Sequence, residues 1–144
     1  MMTRRLLFLV IIGLLMISCG DEAAEQNLDM PLDDRINLLI EQNEYETALE
    51  VLQDEDLSDP SVLRLKEKTH LNYGLYSMNT FDQAEMRTRM NNALTQFTEV
   101  LRINPDNSVA REQAQQILDI YATIPNRSPD EDVKEGLRDV GFEI

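Results

Sequence analysis

One stretch of the sequence decides the fold: residues 93–110, which read ALTQFTEVLRINPDNSVA. Its large apolar residues recur at intervals of three and four, the period of one face of an α-helix. Ala93 is small enough for a neighbouring helix to approach closely, and Phe97, one turn later, can fill the adjacent groove. Pro105 stands where the chain must leave this helix and turn towards the next. The stretch therefore predicts a helix, a turn and the start of a second helix.

An earlier segment has the same spacing. In both copies an alanine is followed four residues later by a large apolar residue and twelve residues later by a proline. The earlier copy consists of Ala48, Leu52 and Pro60, and its alanine lies 45 positions before Ala93. Self-similar spacing of this kind is typical of repeat architectures. It indicates tandem helical hairpins.

The helical period extends over residues 31–123, without an alternating strand pattern of useful length, so the predicted fold class is all-α. The first helices of three successive hairpins are predicted at residues 32–41, 61–78 and 108–123. Thr80 and the three residues after it resemble a capping box, which predicts the start of another helix there.

This pattern resembles the tetratricopeptide repeat (TPR), whose second helix has a small residue, then an aromatic residue, then Asn-Pro or Asp-Pro. Ala93, Phe97 and Asn104-Pro105 match those positions. Val100 and Glu55 stand where the family prefers a small residue, and the repeat spacing exceeds the usual length of about 34 residues. The resemblance implies a short TPR-like array of about two and a half helical hairpins over residues 31–126, with both helices of the second repeat extended.

Residues 127–144 predict a further helix. Ser128 is the expected N-cap, with Pro129 at the first helical position and acidic residues in the first turn. Gly141 is the expected end of this helix. Because the terminal repeat of an array needs a cover, we interpret this segment as a C-terminal capping helix.

The N-terminus has the pattern of an export signal over residues 1–18. Arg4 and Arg5 precede an apolar run at residues 6–17, which as a helix is about 18 Å long. A membrane span needs roughly 20 apolar residues, so the run fits a signal peptide better than a transmembrane helix.

The end of this run, Met16-Ile17-Ser18-Cys19, resembles the lipobox of bacterial lipoproteins, with Met16 where Leu is commonest. The resemblance implies cleavage before Cys19, a diacylglyceryl group on its sulfur and acylation of its new amino group. It places the exported protein on the periplasmic side of a bacterial membrane, the outer rather than the inner one. Residues 19–30 are acidic and predict a disordered tether. The alternative is an uncleaved N-terminal anchor with a buried cysteine.

The composition argues against several other functions. A formal net charge of −14 repels phosphate backbones, so we expect no nucleic-acid partner. With one cysteine, one histidine and no glycine-rich or nucleophile motif, we expect neither a metal site, nor a cofactor, nor an enzyme. We interpret His70 as an ordinary packed histidine. A group of tyrosines and methionines predicts either a plastic binding surface or core packing. Its members are Tyr73, Tyr76, Met78, Met86 and Met90.

The TPR resemblance also implies a concave groove lined by the inner faces of the first helices. The expected lining residues are Asn37, Ile40, Glu41, Arg64, Glu67, Leu71, Leu75, Glu112, Gln116 and Ile120, together with Asp33, Gly74 and Asp119. One base among five acids favours a basic or apolar peptide from another envelope protein, by analogy only. The alternative is a self-associating structural lipoprotein, because an incomplete array leaves an apolar end uncovered.

Replacing Cys19 tests the anchor. Cys19→Ala removes the sulfur that the lipid needs, so the full chain should no longer incorporate labelled fatty acid and should stay at its precursor mass. The measurement is metabolic labelling followed by mass spectrometry. Labelling that survives the substitution would contradict the lipoprotein interpretation.

Overall fold

The computed structural model describes residues 30–80 and 84–144, which form α-helices and turns without a strand. The helices of these ranges are α1 (Leu32–Glu41), α2 (Tyr45–Gln53), α3 (Pro60–Asn79), α4 (Met86–Ile103), α5 (Ser108–Thr123) and α6 (Glu131–Asp139). The all-α prediction is confirmed. The predicted signal peptide, Cys19, most of the tether and residues 81–83 lie outside the described residues. Among the helices described, none combines the length and the apolar character that crossing a membrane requires.

Helix α3 packs against two hydrophobic clusters, which lie on different sides of it. The first cluster joins α1, α2 and the start of α3, and its buried members are Ile36, Leu39, Ile40, Tyr45, Ala48, Leu52 and Val62. The second joins α4, α5 and α6, and its buried members are Ala93, Leu94, Phe97, Val100, Leu101, Ala110, Ala114, Ile117, Val133, Leu137 and Phe142. Leu65 and Tyr73 of α3 pack against the first cluster, whereas Leu71 and Leu75 pack against the second. Both sides of α3 are therefore occupied by packing.

Gly74 of α3 lies directly against the Phe97 ring of α4. A Cβ atom at this position would lie 2.6 Å from Cε1 and 2.9 Å from Cδ1 of Phe97. Phe97 is fully buried, and Ala93 on the same helix is as well. The missing side chain of Gly74 makes the space that the Phe97 ring fills.

The proline of each repeat has a different place in the structure. Pro60 is the first residue of α3, where its missing N–H costs nothing, and the Asp59 carboxylate accepts a hydrogen bond from the Ser61 N–H at 2.7 Å. Pro105 lies in the loop before α5, whose N-cap is Asn107; its side chain accepts a hydrogen bond from the Ala110 N–H at 2.9 Å. The equal spacing in sequence thus marks two different turns.

Two predicted helix starts are corrected. Thr80 ends α3 rather than starting α4, because its N–H and its hydroxyl both donate to the Tyr76 carbonyl. Helix α4 begins only at Met86. Similarly α6 begins at Glu131, not at Pro129, and its N-cap is Asp130. The Asp130 carboxylate makes no capping bond because it binds side chains of α4 instead.

The end of α6 agrees with the expectation for Gly141, which has a φ of +91°. Its N–H donates to the Arg138 carbonyl, and the Phe142 N–H donates to the Leu137 carbonyl. This pair of bonds is the Schellman arrangement, and the accompanying apolar contact is between Phe142 and Leu137 in the second cluster. Helix α6 packs against α4, and Arg111 of α5 lies 5.4 Å over the Phe142 ring.

Adding one methyl group at Gly74 tests the close approach. Gly74→Ala should lower the free energy of unfolding by about 1–3 kcal/mol, because the new Cβ overlaps the Phe97 ring. The control is Gly136→Ala on α6, where a Cβ would lie 3.3 Å from the Thr98 methyl group. There the helix-propensity gain of about 1 kcal/mol offsets a small shift. Thermal unfolding followed by circular dichroism should separate the two variants, and equal melting temperatures would contradict this packing.

Candidate functional site

The structure disperses the residues that the TPR resemblance assigns to a groove. Ile40 is 9 % exposed and belongs to the first cluster, so it is a core residue. Leu71 and Leu75 are half-buried against the second cluster, and Gly74 is covered by Phe97. Ile40 is thus corrected to a core residue of the first cluster, whereas Leu71, Gly74 and Leu75 lie on the side of α3 that packs against the second cluster and α4.

Two polar residues of the predicted groove hold neighbouring elements together. Oε1 of Glu67 accepts hydrogen bonds from Nδ2 of Asn104 and Nδ2 of Asn107, both at 2.8 Å, and so fixes the loop between α4 and α5. Oδ1 of Asn37 accepts a bond from Nζ of Lys68 at 2.8 Å, which joins α1 to α3. The remaining predicted lining residues are exposed: Asp33, Glu41, Arg64, Glu112, Gln116, Asp119 and Ile120.

A concavity that the predicted groove does not include lies between the start of α4 and the end of α5. We call it the α4–α5 pocket; its volume is about 420 Å³. Its lining residues are Ala84, Met86, Arg87, Met90, Ile120, Tyr121, Ile124 and Arg127. Ile120 is the one residue of the predicted groove that this pocket includes.

Local sequence explains how the pocket forms. Met86 and Met90 are one turn apart on α4, and Ile120 and Ile124 have the same spacing at the end of α5. The chain between α5 and α6 closes one side, because the Asp130 carboxylate accepts hydrogen bonds from Nη2 of Arg87 at 2.5 Å and from Nδ2 of Asn91 at 2.6 Å. Two flexible thioethers and two branched side chains thus face a common space.

The lining residues of the pocket include two arginines and no acid. Arg87 is paired with Asp130 but remains 55 % exposed, and Arg127 is exposed as well. The Tyr121 hydroxyl is buried, and no described residue supplies its hydrogen-bond partner. Burial raises the pKa of Tyr121, whereas the nearby charge of Arg87 opposes the rise. The pocket therefore combines an apolar floor with a cationic edge, on a chain of strongly negative net charge.

His70 belongs to a buried polar chain between α3 and α4. Its Nδ1 lies 2.7 Å from Oε1 of Gln96, Nε2 of Gln96 donates to Asn92 at 3.1 Å, and Nδ2 of Asn92 donates to Ser77 at 2.8 Å. Nε2 of His70 is buried and no described residue binds it. Burial lowers the pKa of His70, and the bond to Gln96 only partly opposes this. The ring is thus a neutral packing residue that orients α3 on α4.

Sequence reasoning missed Arg87, Tyr121, Ile124 and Arg127 as pocket residues. The available signal was the apolar spacing at the end of α5 together with two arginines near otherwise apolar residues. This signal could not be used, because the end of α5 meets the start of α4 in a tertiary contact, which local spacing does not reveal. Within the described residues no group of three His, Cys, Asp or Glu side chains is arranged to hold a metal ion.

Comparisons with protein-family models, with curated proteins and with solved structures yield no match to this chain.

The pKa of His70 generates a test of the α3–α4 interface. Since the folded chain disfavours the charged ring, the unfolded chain binds more protons once the pH falls through 6.5, and the free energy of unfolding should decrease there. His70→Gln removes this contribution. Urea unfolding at about pH 7.5 and about pH 5.5 should therefore show a larger loss of stability in the natural chain than in the variant. The charges of Glu99 and Lys66, which act on this ring, are the same in both proteins. An identical pH dependence would contradict the buried neutral histidine.

Proposed function

We propose that this protein is an exported, lipid-anchored adaptor of the bacterial envelope, whose TPR-like array binds a segment of another protein. The main observation behind this proposal is the exposed apolar surface of the α4–α5 pocket. Of the seven large apolar side chains exposed in the described residues, three line this one pocket: Met86, Ile120 and Ile124, each 37–39 % exposed. Contiguous apolar surface of this kind is typical of interaction sites.

The repeat interpretation has support in the burial of equivalent residues. Ala48 and Ala93, the small residues of the two copies, are both fully buried. Leu52 and Phe97, four positions later, are 1 % and 0 % exposed. The two copies therefore use the same positions for close helix packing, as hairpins of one repeat type do.

The pocket selects a partner of particular chemistry. Methionine side chains adapt to irregular apolar shapes, so Met86 and Met90 can receive a branched or aromatic side chain. Arg127 and the exposed part of Arg87 favour a carboxylate next to that side chain. The partner segment is therefore an apolar residue beside Asp or Glu, opposite in charge to the basic peptide that the predicted groove favours.

The predicted lipid on Cys19 adds to this function. Acyl chains would hold the array near the membrane, where other envelope proteins with exposed segments are at high effective concentration. A weak pocket is then sufficient, because the shared membrane raises the occupancy of the complex without adding a contact.

Photo-crosslinking in the producing cell tests the pocket. A benzophenone amino acid at Ile124 of the full chain should give a discrete adduct with another protein. The same label at Val109, which is equally aliphatic and 45 % exposed but lies at the opposite end of α5, should not. Adding Arg127→Glu should reduce the adduct from position 124, because it repels the acidic residue of the partner.

Mass spectrometry of the adduct distinguishes the two functions under consideration. A crosslinked partner peptide with an apolar residue next to an acid supports the adaptor. An adduct between two copies of this chain supports the self-associating alternative and contradicts the adaptor. Equal adducts from positions 124 and 109 would contradict a specific pocket.

A further inference from the structure

Three of the four tyrosines in the chain meet at one place outside the α4–α5 pocket. The ring centroids of Tyr45 and Tyr73 are 5.1 Å apart and their planes differ by 10°, so the rings stack. Tyr76 lies 5.5 Å from Tyr45 at an angle of 47° and is 40 % exposed. These rings form one side of a second concavity of about 320 Å³, which we call the tyrosine pocket.

The loop before α2 and the first turn of α2 form the other side. The loop contributes Asn43 and Glu44, and the helix contributes Glu46 and Thr47. Asn43 adopts a left-handed conformation with φ of 60°, and its side chain accepts a hydrogen bond from the Tyr45 hydroxyl at 3.0 Å. The Tyr73 hydroxyl donates to Oε1 of Glu46 at 2.9 Å, which holds this carboxylate beside the rings.

The charged side chains that line the tyrosine pocket are all acidic. Two carboxylates, of Glu44 and Glu46, accompany three tyrosine rings, of which Tyr76 is the exposed one, and none of the lining residues is basic. An aromatic face carries a negative partial charge and attracts cations. Burial raises the pKa of Tyr73, and the charge of Glu46 raises it further, as expected where the local potential is negative.

We propose that the tyrosine pocket binds an arginine side chain of a partner protein. A guanidinium is planar, so it can stack on an exposed tyrosine ring while its N–H groups donate to a carboxylate at the edge of that ring. Glu46 and Glu44 supply such acceptors and Tyr76 supplies the exposed ring. A quaternary ammonium group has no N–H and so can donate no hydrogen bond to either carboxylate. The site is separate from the α4–α5 pocket, since the two share no residue.

The four tyrosines allow a test with an internal control. The full chain is labelled with 3-fluorotyrosine, and each ¹⁹F resonance is assigned by a Tyr→Phe substitution. N-acetyl-arginine amide, used as the probe, should shift the resonances of Tyr45, Tyr73 and Tyr76 saturably, with an affinity in the millimolar range. Tyr121 lines the other pocket and should not respond. The corresponding citrulline derivative has the same shape without the charge and should cause no saturable shift.

A matched pair of variants tests the role of the carboxylate. Glu46→Gln keeps an oxygen that can accept the Tyr73 hydrogen bond but removes the charge, and should weaken the binding of the arginine probe by about two- to fivefold. Glu50→Gln removes the same charge one turn further along α2, outside the pocket, and should leave the binding unchanged. An unchanged Tyr121 resonance in both variants shows that the fold is intact.

Other outcomes would overturn the assignment. Equal shifts with arginine and citrulline derivatives would show that charge is not recognised. Tighter binding of tetramethylammonium than of the arginine probe would point to a quaternary ammonium ligand instead. Equal effects of Glu46→Gln and Glu50→Gln would show that the overall negative charge of the chain attracts the probe, and not the Glu46 carboxylate in particular.

Discussion

The close approach of α3 and α4 is the constraint on which the rest of this structure depends. The Phe97 ring occupies the space that the missing side chain of Gly74 leaves, and Ala93, one turn before Phe97, is fully buried. Because interiors are packed at nearly crystalline density, such a contact fixes the separation of the two helices and the register between them. The register in turn aligns His70 with Gln96 and Ser77 with Asn92, so the buried polar chain exists only at this spacing. Packing of Phe97 against Gly74 sets the distance between α3 and α4. Any other register of the two helices would leave these buried polar groups without hydrogen bonds, which costs free energy.

Side-chain hydrogen bonds fix the loops between helices, in addition to the restriction that comes from their short length. Glu67 binds both asparagines of the loop before α5, and Asp130 binds Arg87 and Asn91 in front of α6. Part of the acidity of the chain is thus structural, because these carboxylates accept several hydrogen bonds each. A sequence reading treats acidic side chains as surface charge, and it has no means of identifying the few that join elements distant in sequence.

Helical period was sufficient to predict the fold class and most helix limits, since it depends on local spacing alone. Helices α1 and α5 begin and end where the pattern predicts, and α3 differs by one residue at each end. The helix starts at α4 and α6 were wrong, because Thr80 and Asp130 can serve either the chain before them or the chain after them. The side of α3 on which the predicted groove places Leu71 and Leu75 is packed for a different reason. The TPR alignment assigns one free face to each first helix, but α3 packs on both sides, while Ile40 on α1 belongs to the first cluster.

Because α3 packs on both sides, the two pockets lie at helix ends. Consecutive helices joined by short loops run antiparallel, so the end of α3 and the starts of α2 and α4 gather at one edge of the array, together with the end of α5. At helix ends the side chains have neighbours on fewer sides, and both pockets lie at this edge. The tyrosine pocket brings together α2 and α3 with two carboxylates, whereas the α4–α5 pocket has two arginines on its rim. The charged side chains of the two pockets therefore have opposite signs, although both pockets lie at the same edge, and this difference cannot be seen in a net charge of −14 for the chain.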